Sequence, residues 1–386
     1  MTARPRVLVY RDHLLPLSET FVVNQSLGLQ GFDAFFVGSK PGHPPRIELP
    51  QDRFRLVNQG GPYGLAREVP FKFFGMIPQD ILSWCRSLHP ALVHAHFGPD
   101  GTLALPLAKS LNVPLIVSYH GSDATIKDEY TWGSYIGHRL YRLRRRTLAQ
   151  KAQAFVTPSH FVKRMAVARQ GMPEEKIVVI PHGIDLERFQ PASTTQYGRI
   201  LFVGRLVELK GLHHLIDAMA TIRDAFPELH LVVIGDGPDR RLYENLATKK
   251  LGRSCTFLGA QPHEVVRDEM QRAYIFSLPS ISMPNGEAEG FGMVFLEAQA
   301  CGVPVVAYAV GGIPEVVAHG RTGFLAQEGD VAALAQYLKI FLEDPDLRDR
   351  MGRAGHLLVA AQFDRRRQNE MLENLYRRVC REGGLL

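Results

Sequence analysis

The chain has 386 residues, 45% of them apolar and 22% charged, with a formal net charge of +6. That length favours two domains over one, and the composition is that of an ordinary globular enzyme. Cys85, Cys255, Cys301 and Cys380 are scattered without paired spacing, which argues against a zinc site or a disulfide framework and points to a reducing cytoplasm. The first ten residues lack a signal-peptide apolar core, and no apolar run approaches the roughly 20 residues that span a bilayer.

In the first half, short apolar runs at 7–10, 34–37, 91–95, 115–119, 154–157 and 177–180 read as strands. Runs without polar alternation suit parallel strands covered by helices on both faces. A first helix is expected over 18–30 with Ser18 as N-cap. Residues 40–70, rich in Pro and Gly, read as an irregular excursion. Residues 130–173 hold nine Lys/Arg and no Asp or Glu, among them Arg139, Arg142, Arg144, Arg145, Arg146 and Arg169. Such a run is a solvated face, a seat for anionic lipid or a lipid-linked acceptor, or a nucleic-acid patch. No nucleic-acid motif accompanies it, so nucleic acid is set aside.

A polar, turn-rich stretch at 185–196 reads as a linker. The strand rhythm then restarts at 199–203, 229–234, 255–258, 275–278, 305–307 and 323–325. Two βα series joined by a linker imply two doubly wound domains, with ligands outside the carboxyl ends of the strands. The expected division is 1–190, 191–365 and a final helix within 366–386.

Several motifs stand at those strand ends. Gly204-Arg-Leu-Val-Glu-Leu-Lys-Gly211 follows a strand and opens a helix. Its glycine permits a tight turn, and Arg205 and Lys210 offer a fork and a point charge to a diphosphate. Gly235-Asp-Gly-Pro238 is a weaker turn signal. His120-Gly-Ser-Asp123 and His94-Ala-His96 end two neighbouring strands. A metal site at His94, His96 and His120 is disfavoured, because no carboxylate or Cys stands at ligand spacing. Asp344-Pro-Asp346 reads as a turn opening a helix rather than a metal motif.

The most informative stretch is Glu289-Gly-Phe-Gly-Met-Val-Phe-Leu-Glu297. Eight helical steps span roughly 12 Å, more than the about 5–9.5 Å of a hydrolytic carboxylate pair. The two acids therefore look like two grips on one long ligand. The helix start between them offers N–H groups to an anion.

With Gly311-Gly-Ile-Pro-Glu315 and His319-Gly-Arg-Thr-Gly323, this ordered string resembles the retaining, GT-B-fold nucleotide-sugar glycosyltransferases of family 4. The Ser18-Glu-Thr-Phe21 start resembles a subset associated with bacterial exopolysaccharide and surface-polysaccharide assembly, and departs from the Gly-Gly pair common elsewhere in the family. The resemblance implies two Rossmann-like α/β domains facing a central cleft, an acceptor-side N-terminal one and a donor C-terminal one. It implies that Gly204, Arg205, Lys210, Glu289, Phe291, Gly292, Met293, Val294 and Glu297 bind the donor. His120 reaches the donor sugar, and His96 and Asp123 line the cleft. His120, Arg205, Lys210 and Glu289 are the expected catalytic set. No cofactor or metal is expected, and the last helix crosses back onto the first domain. The expected partners are a nucleotide-sugar donor, a sugar or lipid-linked saccharide acceptor, and an anionic membrane surface through 139–169. The expected location is the cytoplasm, peripheral to the inner membrane face. Other readings are a silent sugar-nucleotide-binding subunit, and an epimerase or phosphorylase of the same fold. An NAD-dependent oxidoreductase is disfavoured, since no Gly-x-Gly-x-x-Gly follows the first strand.

Overall fold

A computed structural model describes residues 4–14, 20–42, 49–131 and 136–384. The strands are β1 (Arg6–Tyr10), β2 (His13–Leu14), β3 (Asp33–Gly38), β4 (Lys40–Pro41), β5 (Phe54–Leu56), β6 (Pro90–His96), β7 (Leu115–Ser118), β8 (Ala154–Thr157) and β9 (Ile177–Val179). They continue with β10 (Arg199–Val203), β11 (His230–Ile234), β12 (Cys255–Gly259), β13 (Ile275–Ser277), β14 (Val305–Tyr308) and β15 (Gly323–Ala326). The chain divides into two compact units. One comprises Met1–Gly183 with Arg365–Leu386, and the other Ile184–Asp364.

Within the first unit a parallel sheet has the order β5-β3-β1-β6-β7-β8-β9, and a short pair β2-β4 stands beside it. Within the second, the parallel order is β12-β11-β10-β13-β14-β15. Each series grows outward from its first strand and then reverses. The switch point lies between β1 and β6 in one unit and between β10 and β13 in the other, and ligands bind at such points in open α/β sheets. β6, β7, β8 and β14 are buried along their whole length, as strands covered on both faces must be.

The helix Arg365–Glu382 completes the first unit. Leu372, Leu375, Tyr376, Val379 and Cys380 share a core with Val7, Val9, Phe32, Phe36 and Leu92. Glu373 accepts the backbone N–H of Gly31 at 2.8 Å.

Two expectations need correction. Residues 40–70 are not one irregular excursion, since they contain β5 and most of the helix Gly61–Phe74. Pro70 stands inside that helix and misreads as a breaker. The stretch 185–196 carries no strand or helix, yet it is part of the second unit. Ile184 bridges Asp364, and Phe189 is buried in the core. The first helix is seen over Thr20–Leu27, and the capping role read for Ser18 lies outside the described residues. Asp344 caps the helix Pro345–Gln362, accepting the Leu347 N–H at 2.8 Å, so Asp344-Pro-Asp346 is turn chemistry.

Candidate active site

In the second unit the switch point is bridged by a charge pair. Lys210, in the turn after β10, donates to Glu289 Oε2 at 2.6 Å, and Ser280 Oγ, after β13, donates to the same oxygen at 3.2 Å. Both bonds fall on Oε2, which leaves Oε1 open to a ligand hydroxyl. The backbone of Glu289 is pinned from the other side, its carbonyl accepting the Gly312 N–H at 2.9 Å. Gly311 adopts φ +60°, and a Cβ there would lie 2.0 Å from the Glu289 carbonyl oxygen. Only glycine permits that approach. Gly235 is equally constrained, because its φ is +139° and a Cβ would lie 1.9 Å from the carbonyl oxygen of Gly204. The turns after β10 and β11 are thereby closed against each other.

Glu297 is buried within the helix Met293–Ala300 and accepts from His263 Nε2 at 2.9 Å through Oε1. Glu289 and Glu297 thus have different partners. Gly292 is the N-cap, and the first N–H groups of the helix have no intrahelical acceptor. Met293 and Val294 are half-buried at this end. Phe291 packs edge-on against Phe363 at 5.9 Å in the core, so its side chain supports the loop while its backbone stays at the helix start. The Arg205 side chain is exposed, with no salt-bridge partner among the described residues.

In the first unit the same construction recurs at the other switch point. Arg11, after β1, donates to Asp100 Oδ2 at 2.7 Å and lies 4.2 Å over the Phe97 ring. Asp100 also accepts the Asp12 N–H at 2.7 Å. Burial raises the Asp100 pKa, with Arg11 opposing and Asp12 adding to the rise. Arg11, His13, Phe97, Asp100, Ser122 and His138 line a cavity of about 250 Å³.

Beside it runs a stack of imidazoles. His96 Nδ1 and His120 Nε2 are 3.1 Å apart, and His120 Nδ1 and His182 Nε2 are 3.4 Å apart. Phe21 and Phe97 close on His120, with ring centroids 4.8 and 4.6 Å away. Burial lowers the pKa of His182 to about 4 and that of His94 to about 3. Burial, with the neighbouring imidazoles, holds His96 and His120 well below their usual value. These rings are neutral near pH 7 and suit hydrogen bonding to hydroxyls more than neutralising phosphate. His94 is spent on Tyr376 Oη and Ser118 Oγ, at 2.5 and 2.8 Å. Among the described residues, no group of three His, Cys, Asp or Glu could hold a metal ion.

Asp123 reaches the same cavity, but its oxygens accept the N–H groups of His120, Gly121 and Gly98 at 2.9–3.0 Å. Its work is to hold the turn that presents His120. The residues 139–169 do not form one free basic face. Arg145 pairs with Asp128 at 2.6 Å, Arg144 donates to the carbonyls of Lys72 and Phe73, and Arg169 donates to that of Thr125. Arg146, Lys151 and Arg164 remain exposed.

Sequence reasoning missed His263, Ser280, Arg11, Asp100 and His182. The Tyr10-Arg-Asp-His13 run after the first strand held the one available signal, a cation and an acid at a strand's carboxyl end.

The family described as Glycosyltransferase Family 4 matches residues 22–188, and that described as Glycosyl transferases group 1 matches residues 183–357. The D-inositol 3-phosphate glycosyltransferase of Streptomyces scabiei is 31% identical over 338 residues, covering 81% of this chain and 74% of that protein. The chain belongs to this glycosyltransferase family. A protein of Salmonella typhimurium named for colanic acid biosynthesis, the glycosyltransferase WcaL, is 30% identical to this glycosyltransferase, with 74% of this chain and 70% of that one covered. Anabaena HepE, solved in complex with UDP, superposes with a TM-score of 0.74 at 18% identity, covering 96% of this chain and 99% of that one. The fold of this glycosyltransferase is therefore GT-B. Among its described residues no helix is long and apolar enough to cross a membrane.

Proposed function

We propose that this glycosyltransferase transfers a sugar from a nucleotide diphosphate to an acceptor hydroxyl with retention of configuration, without a donor-bound metal, in bacterial polysaccharide or glycolipid assembly. The observation that carries the reading is the Lys210–Glu289 pair across the β10/β13 switch point, pinned by Gly311 and placed beside a helix start. The likeness to HepE, a protein solved with UDP, supports the donor class, and the likeness to WcaL supports the setting.

In this reading the bond from the anomeric carbon to the diphosphate oxygen breaks, and its electron pair stays on the leaving phosphate. Lys210, Arg205 and the N–H groups at Met293 and Val294 stabilise that charge in a preorganised way. The acceptor oxygen bonds to the same face of the sugar, and its proton passes to the leaving phosphate. Glu289 Oε1 accepts from a donor-sugar hydroxyl, and the free oxygen of Glu297 accepts from the ribose. His120 contacts the donor sugar as a neutral ring.

A thermal-shift screen of UDP, GDP, ADP and TDP, with and without magnesium, tests the reading. A rise with one diphosphate that does not need magnesium is the expected result. No response to any of the four would count against a nucleotide-diphosphate donor.

A further inference from the structure

The strands β1 and β6 carry a cavity at each end. The one lined by Arg11 and Phe97 stands at their carboxyl ends. The other, of about 550 Å³, opens at their amino ends, where Pro5 precedes β1 and Pro90 begins β6. The seven residues of β6 put about 20 Å of strand between the two. A cavity of this volume is in the range of small-molecule sites.

Its lining divides by chemistry. Arg86, His89 and Asn112 are polar, and Pro5, Pro90 and Leu111 are apolar. Among the described residues no Asp or Glu lines it. Arg86 is exposed, with no ion-pair partner among the described residues. Arg6, next to Pro5, lies 5.8 Å from the centre of the Phe35 ring, and Arg53 lies 4.8 Å from the same ring. Arg6 also donates to the Leu88 carbonyl, beside His89, at 2.8 Å. Arg67, Arg145 and Arg188 end on carboxylates, whereas Arg6, Arg53 and Arg86 do not. Cations gathered without acids hold a positive potential over the cavity.

His89 is the less expected member. It follows the C-cap of the helix Gln79–Ser87 with φ +46°, in the left-handed region. The helix Gly61–Phe74 ends in that region on Gly75, at φ +68°, and glycine is the residue it favours. Asn112, at φ +56°, is an accepted alternative at a helix end. Core packing does not account for the imidazole, since His89 is exposed. The position gives up backbone ease and gains a basic side chain at the rim.

We propose that this cavity binds a compact organic phosphate, with the phosphate on Arg86 and His89 and the ring against Pro5, Pro90 and Leu111. A guanidinium offers a phosphate two parallel N–H bonds, and the Asn112 amide can donate another. The site lies wholly within the first unit and does not depend on the reaction proposed above.

The test is isothermal titration of the full chain with phenyl phosphate, and with orthophosphate, benzoate and phenol for comparison. Phenyl phosphate should bind at least about tenfold more tightly than any of the three. Arg86→Gln should weaken that binding by about tenfold or more. His89→Gly should weaken it as well, while the thermal midpoint without ligand holds or rises, because glycine suits that backbone. A folding defect therefore cannot explain the loss. Binding that is as tight in both variants as in the parent would overturn the inference, since the ligand would then sit elsewhere. So would a parent that does not bind phenyl phosphate, or one that binds benzoate as tightly, which would make the head group a carboxylate. Equal affinity for orthophosphate would also overturn it, and would mean an adventitious ion only.

Discussion

Lys210 and Glu289 illustrate how one contact can serve two ends. The carboxylate holds the ammonium at the strand end before any ligand arrives, and keeps one oxygen in reserve. Replacing Lys210 with Ala should lower kcat by about 100- to 1,000-fold, as loss of one preorganised donor does, while donor affinity falls less. Weakened donor affinity with kcat unchanged would show that Lys210 only binds.

His182 allows a pH test. Its pKa is lowered to about 4 by burial, whereas the unfolded chain takes up this proton near 6.5. Between these values the unfolded state holds more protons, so stability falls as pH falls. In His182→Asn that fall should be shallower by about 1.4 kcal/mol per pH unit, measured by urea unfolding at several pH values. Parallel slopes would reject the assignment. Asp100 and Asp123, raised by burial, act with the opposite sign but are common to both proteins. At Lys72, substitution by Met strands the buried carboxylates of Asp12 and Glu68. It should cost about 3–5 kcal/mol in urea unfolding, and a near-neutral result would mean those acids are protonated or rehydrated.

At the scale of elements, the turns are as constrained as the side chains they present. In Gly235→Ala the new methyl meets the Gly204 carbonyl in a backbone region that suits glycine, so stability should fall by more than about 3 kcal/mol. Gly311→Ala presses on the carbonyl of Glu289 and should depress turnover even in protein that remains folded by circular dichroism. Full activity there would show that the loop relaxes freely.

The elements differ in how plainly the sequence announces them. Residues 7–10, 115–117 and 305–308 are unbroken apolar runs, and a strand buried on both faces has no other pattern to show. The helix Gly61–Phe74 hides for the converse reason. Leu65, Val69 and Phe74 are exposed while Glu68 and Lys72 are buried, and Pro70 stands within it. The motif after β14 was legible because the backbone at Gly311 tolerates little but glycine. His263 and Asp100 were not, since each acquires its partner through sheet order, and single-sequence periodicity carries no information about which strand ends become neighbours.

At the scale of the whole molecule, a diphosphate at 100 times its dissociation constant should stabilise the folded chain by about 2.7 kcal/mol. The shift should vanish in Glu297→Ala if the ribose is held there.

The first unit is written in two pieces, Met1–Gly183 and Arg365–Leu386, with the second unit encoded between them. Leu372, Tyr376 and Val379 close a core that β1 and β3 leave open, and Tyr376 bonds His94. During synthesis the amino-terminal sheet therefore emerges long before its last helix exists. The second unit, contiguous in the chain, has all its residues earlier. The unit made first is the unit finished last, and its exposed sheet face is the stage at which a nascent chain is most open to aggregation.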